Sequence, residues 1–145
     1  MIQRKQSIWL LLASLLGAGV FFFDLYRAEI RTGDIIENKV LRVADHYPSL
    51  LLALVVVLLP LVTIFMFTNR KRQIRMTMIA ILSTISFLTM MLTRVTGLSK
   101  LTPPATSGSY WVGAVLPVLS FVFLVLAVLS IRSDEKLVRS ADRLR

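Results

Sequence analysis

His46 is the only imidazole in the chain and there is no cysteine, so the groups that most often bind metals or attack carbonyl carbons are nearly missing. With Asp45 as the one adjacent carboxylate, His46 offers two ligands, one short of an open catalytic zinc site. Beside Tyr47 and Pro48 it reads as a polar residue at the edge of an apolar segment. Met66, Met76, Met78, Met90 and Met91 are soft thioethers that suit Cu(I), but they are scattered and read as adaptable apolar filler. Ser83, Ser86, Thr89 or Met90, and Thr93 recur at steps of three or four and put hydroxyls on one helix stripe. Such a stripe can line a polar path, or bond its own helix carbonyls and hold neighbouring helices; the second reading is favoured. Only Asp24 and Arg94 come close to lying inside an apolar run, so a proton relay through the middle lacks candidates. There is no Walker loop, Rossmann glycine pattern, nucleophile elbow or HExxH. The expectation is no catalytic residue, no metal, no cofactor and no enzyme.

The elements that carry these residues are apolar runs. The 145 residues are 56% hydrophobic and 17% charged, with a mean hydropathy of +0.75. An ordinary globular chain is about 45–50% apolar and about 25% charged. Those values exclude a soluble domain. Four runs, 8–23, 49–68, 76–92 and 110–131, hold 16, 20, 17 and 22 residues. As helices they reach roughly 24, 30, 25 and 33 Å against a hydrocarbon core of about 30 Å. Arg4, Lys5 and Trp9 before the first, and Arg75 and Arg94 around the third, can snorkel to extend the short ones. Arg4 and Lys5 ahead of an apolar stretch also fit a signal peptide, but bulky Val20 to Phe23 after Gly17, Ala18 and Gly19 argue for an uncleaved anchor. The expected fold is all-α: a single domain, 1–145, forming a four-helix transmembrane bundle with a short cytoplasmic C-terminal helix in the tail 132–145. Ala13 and Gly17, with Ser14 and Ala18 beside them, make a small-residue face on the first span suited to close helix packing. Pro60 and Pro117 lie inside the second and fourth runs and predict kinks; Gly113 leaves room for the second bend.

The net charge is +9, from 17 Lys+Arg against 8 Asp+Glu. Eleven basic residues fall in the N-terminal segment, the link 69–75 and the tail, against six in the links 24–47 and 93–109. The positive-inside rule places both termini in the cytoplasm. Membrane-proximal basic residues favour anionic lipid headgroups over nucleic acid as partner. Arg70, Lys71, Arg72 and Arg75, with Arg139, Arg143 and Arg145 beside the apolar stripe Leu137, Ala141 and Leu144, are the candidate lipid- or partner-binding residues.

In the first outer link, Asp34 and Glu37 look like an N-cap and N3 pair, and Ile36, Val40, Val43 and Tyr47 recur at helical spacing. A hairpin turning at 31–34 competes, because Tyr26, Ala28 and Ile30 alternate. The helix is slightly favoured. The second outer link, with Gly97, Pro103, Pro104 and Gly108, has no apolar period and is expected to be a loop, and Asp24 is expected to pair with Arg94.

Three stretches carry a resemblance: the opening 1–11 (MIQRKQSIWLL), the link 67–75 (FTNRKRQIR) and the ending 134–145 (DEKLVRSADRLR), with GAVLP at 113–117. Together they resemble an uncharacterised family, a domain of unknown function, of small four-span inner-membrane proteins from the Bacteroidetes. The resemblance implies four spans and a bacterial inner membrane and brings no activity, cofactor or catalytic residue. The resulting expectation is a non-enzymatic accessory or scaffold subunit that shows a basic cytoplasmic face to lipid and to another membrane protein or a second copy. A small-solute transporter or channel subunit is the alternative.

Overall fold

The computed structural model describes residues 3–32, 35–66, 69–98, 100 and 105–142, with side chains for 6–31, 35–66, 69–98, 100 and 107–135. Its elements run α1 (Gln3–Gly19), β1 (Tyr26–Thr32), β2 (Ile35–Leu41), α2 (Tyr47–Phe65), α3 (Arg70–Leu98), β3 (Ala105–Tyr110) and α4 (Val112–Asp142). The all-α expectation is therefore corrected: among the described residues four helices are joined by an antiparallel sheet of order β2-β1-β3.

The hairpin replaces the slightly favoured helix over 34–47. Ala28 and Leu41 are buried on the side of the sheet that packs against Leu98 and Val95 of α3, so the alternation of β1 decides the outcome. The helical spacing of the rival reading joined residues that share no face: Val43 is buried, whereas Ile36 is 61% and Tyr47 83% exposed. The proposed Asp34 cap lies outside the described residues. The second link is not merely a loop either. Its last residues pair with β1, Ser107 opposite Glu29 and Ser109 opposite Arg27, and a strand recruited this way needs no apolar period of its own. The Tyr26 ring crosses Gly108, where any β-carbon would collide with its hydroxyl end.

α1 lies against α2 and α4, and α3 also touches both. One apolar core, including Val20, Val56, Phe87 and Ala114, fills the half nearer the sheet; another, around Leu10, Ala13, Ala80, Leu124 and Ala127, fills the far half, where Trp9 stacks on Phe123 at 5.5 Å. Leu15, Leu51, Leu58, Phe65, Leu82 and Leu129 instead point outward and are exposed. Water tolerates such a continuous apolar exterior poorly. Among the described residues three helices, Tyr47–Phe65, Arg70–Leu98 and the Val112–Glu135 part of α4, are long and apolar enough to cross a membrane. The apolar part of α1, Gln6–Gly19, is shorter, because tight turns from Gly17, Ala18 and Gly19 to Val20, Phe21 and Phe22 stop the helix before the end of the expected run at Phe23.

α2 continues through Pro60 and α4 through Pro117, each as one helix. α4 also runs straight on to Asp142, so the tail helix is an extension of the fourth helix. Gly113 has a further role at the start of α4. Its amide donates to the Asp24 carbonyl at 3.1 Å, and a β-carbon there would sit 2.5 Å from that same oxygen.

Candidate functional site

At the helix ends remote from the sheet, polar residues join all four helices. Gln6 of α1 donates its amide to the Asp134 carboxylate of α4, and Arg70 Nη1 of α3 donates to the Asp134 backbone carbonyl at 3.1 Å. One turn along α3, Gln73 Nε2 donates to the Thr63 carbonyl of α2 at 3.4 Å. Gln6, Gln73 and Asp134 are buried, and Gln73 Oε1 has no partner among the described residues. A buried amide group left half-satisfied is costly, which makes this a polar lock with one open acceptor.

Over this lock stand the basic residues of α3. Arg70 is half-buried; Lys71, Arg72 and Arg75 are exposed, and Arg132 of α4 is exposed too. Asn69 caps the helix, its Oδ1 accepting from the Arg72 amide at 3.2 Å. The first turn of α3 contains no acid. Cations at a helix N-terminus oppose its dipole, a cost of roughly 0.3–1 kcal/mol each when exposed. Helix stability is therefore not what places them there. The side chains of Arg139, Arg143, Arg145, Leu137 and Leu144 lie outside the described ones.

Ala13 and Gly17 lie in the helix contacts. Ser120 Oγ of α4 donates to the Ala13 carbonyl at 2.8 Å, Ser14 Oγ donates to Val57 O of α2 at 2.9 Å, and a β-carbon on Gly17 would sit 3.3 Å from Val56 Cγ1. The hydroxyl stripe lies on the outer side of α3. Ser83, Ser86 and Thr89 each bond the carbonyl four residues back and Thr93 the one three back. The buried polar line on α3 is another one, Gln73, Thr77 and Thr84. Thr77 and Thr84 likewise bond the carbonyls of Gln73 and Ala80. His46 caps α2, its Nδ1 accepting from the Ser49 amide at 3.3 Å. Among the described residues no group of three or more His, Cys, Asp or Glu could hold a metal ion.

The sheet end holds a second charged cluster. Asp24 pairs with Arg27 and Arg42, at 2.6 and 2.8 Å, and not with Arg94. Arg94 is nonetheless close by, donating to the Arg42 carbonyl at 2.9 Å. The hairpin brings β2 back beside β1, and Arg42, the residue after β2, reaches the Asp24 carboxylate. The Arg27 guanidinium also lies over the Trp111 ring, 4.2 Å from its centre. An open cleft of about 490 Å³ runs along the sheet here, lined among others by Arg27, Glu29, Asn38, Val40, Ser107 and Ser109. Sequence reasoning missed Arg27, Arg42, Gln6, Gln73 and Asp134. The alternation of Arg27 and Glu29 around Ala28 was the one available signal for the cleft.

The hydrogen bond from Arg42, then that from Arg27, hold the Asp24 carboxyl below its ordinary 3.8, partly opposed by burial. A carboxyl with a depressed folded value stabilises the fold above its unfolded value of about 3.8 and loses that contribution as pH falls through the folded one. Asp24→Asn is expected to cost about 1–2 kcal/mol at pH 7, held down by the exposure of both arginines. In thermal unfolding across pH, the gap between wild type and variant should close below pH about 4. A gap that stays constant down to the lowest pH would remove the carboxylate from the account.

The family described as Domain of unknown function (DUF4293) matches residues 2–144. No curated protein and no solved structure matches the chain.

Proposed function

We propose that this chain, which belongs to the DUF4293 family, is a non-enzymatic accessory or scaffold subunit of the bacterial inner membrane. In this reading it is a four-span bundle with both termini cytoplasmic, α1 being the short span. Its basic end, Arg70, Lys71, Arg72 and Arg75 with the tail arginines, faces anionic lipid and a protein partner. One observation carries the proposal: Lys71 and Arg72, both exposed, stand in the first turn of α3, where they work against the helix dipole, with exposed Arg75 one turn along. A membrane surface or acidic partner offsets that cost, at about 1 kcal/mol per well-placed Lys or Arg. The polar lock beneath fixes the four helix ends, so the basic groups are presented from a rigid base.

The tail is the part most suited to a protein partner, since the central link already supplies four cations. Truncation after Lys136 is expected to leave a protein that inserts normally and loses its main co-purifying protein in mild detergent. Unchanged co-purification would reduce the tail to an anchor. The transporter reading is supported by one feature, the open Gln73 Oε1 acceptor on the buried polar line of α3. Solute flux through the protein reconstituted alone would favour it over the scaffold.

A further inference from the structure

The cleft on the sheet is electrostatically two-ended. Arg27 and Glu29 lie two residues apart on β1 and both line it, so their α-carbons are roughly 7 Å apart along the strand. At the Arg27 end, Asp24 accepts from Arg27 Nε and Nη2 at 2.9 and 2.6 Å and from Arg42 Nε at 2.8 Å. One carboxylate thus fixes two guanidiniums and neutralises one of them. The side chains of Arg27 and Arg42 stay 49% and 65% exposed, so both keep donors open from the five each guanidinium carries. The result is a positioned fork with about one net positive charge. At the other end Glu29, held by Ser107 Oγ at 3.0 Å, supplies one negative charge.

We propose that this cleft binds the zwitterionic headgroup of an aminophospholipid, its phosphodiester on Arg27, which lines the cleft, and on Arg42, which Asp24 holds beside it, and its ammonium at Glu29. The signs match at each end: a phosphodiester carries a single negative charge, and the two-carbon bridge of phosphoethanolamine sets its amine at the distance an Arg and a Glu two residues apart can bracket, with exposed Arg31 two residues beyond Glu29 on the same face of β1. Planar guanidiniums suit phosphate oxygens, and a carboxylate suits an ammonium. A lipid is favoured over a free ester because Phe21, Phe22 and Phe23, all exposed, directly precede Asp24, and exposed Trp111 lies under Arg27. Rings at that level are what a headgroup layer and the first acyl carbons meet. The inference rests on the membrane reading above but not on the basic end of α3, which lies at the opposite ends of the helices and where the Asp134 carboxylate is buried and already accepts from Gln6.

Native mass spectrometry of the full chain, released from nanodiscs of equal parts phosphatidylethanolamine and phosphatidylglycerol, provides the test. Wild type should retain one phosphatidylethanolamine in preference. Glu29 is exposed, so Glu29→Gln should fold normally while losing that preference for phosphatidylethanolamine. Arg42→Lys keeps the charge but not the fork, and should lower retention about tenfold. Substituting Lys71, Arg72 and Arg75, all exposed, by glutamine should reduce bound phosphatidylglycerol and leave the phosphatidylethanolamine in place. The proposal is overturned if Glu29→Gln leaves the ratio of the two lipids unchanged, or if the α3 substitutions remove the phosphatidylethanolamine. Free phosphoethanolamine or inorganic phosphate, titrated in detergent, should bind far more weakly than the lipid. Equal binding by the free ester would make the ligand a soluble one and refute the lipid.

Discussion

Gly113→Ala is expected to destabilise the protein by about 3 kcal/mol, the upper part of the range for forcing one methyl group into a closed contact. The alanine β-carbon would sit 2.5 Å from Asp24 O and 2.8 Å from Phe23 O, and both obstacles are backbone. A side chain in the way can rotate; a carbonyl that already accepts the Gly113 amide at 3.1 Å cannot withdraw without breaking that bond. Trp111 and Leu25 are tied in the same way, amide to carbonyl at 3.1 Å, so a shift of α4 would propagate into the sheet and loosen the Asp24 cluster. Gly97→Ala is the internal comparison. Nothing lies within 4 Å of its added carbon, and alanine favours the helix by up to about 1 kcal/mol. The same substitution should therefore have opposite signs at two sites in one protein. For a domain of this size a loss of about 3 kcal/mol lowers Tm by roughly 10 °C. Equal melting temperatures for the two variants in one detergent would sink the close-approach argument.

The helices were legible because an apolar run fixes a helix largely without help from distant residues. The runs at 49–68 and 110–131 lie close to α2 and to the apolar part of α4. α3 extends six residues beyond its run at each end, since Arg70 to Arg75 and Thr93 to Leu98 bond along the helix regardless of polarity. The strands were not legible for the opposite reason. Over 26–41 two periods were present at once, and what chose between them was burial of Ala28 and Leu41 against Leu98 and Val95 of α3, while 105–110, which joins β1 from the other side, has no apolar period of its own. Charge positions were readable as a tally, but partners were not. Arg42 meets Asp24 across eighteen residues only because the hairpin folds back. Gln6 and Asp134 meet across 128, at opposite ends of the sequence, and only the juxtaposition of α1 and α4 brings them together.

Neutralising the α3 start should have the largest effect on how the chain sits in a bilayer. In the orientation proposed above the basic residues divide eleven to six between the two sides, and Arg70, Lys71, Arg72 and Arg75 supply four of the eleven. Replacing these four by glutamine leaves seven against six, a bias too small to set orientation, and removes it from the short link where the rule acts most strongly. The wild-type chain lacks cysteine, so single cysteines report without background. In intact cells an impermeant thiol reagent should label Ser107→Cys, on the exposed strand β3, and should not label Ser140→Cys. In the four-glutamine background both sites should label, each in part of the population, as the chain inserts in two orientations. Helix formation itself should not suffer, because the glutamines remove charges that oppose the α3 dipole. Arg70 also donates to the Asp134 carbonyl, so an unchanged circular-dichroism helix signal must accompany the mixed labelling for it to report orientation and not unfolding. Labelling of Ser140→Cys alone in the unaltered chain would invert the arrangement, placing the basic end outside and depriving the scaffold reading of its lipid surface.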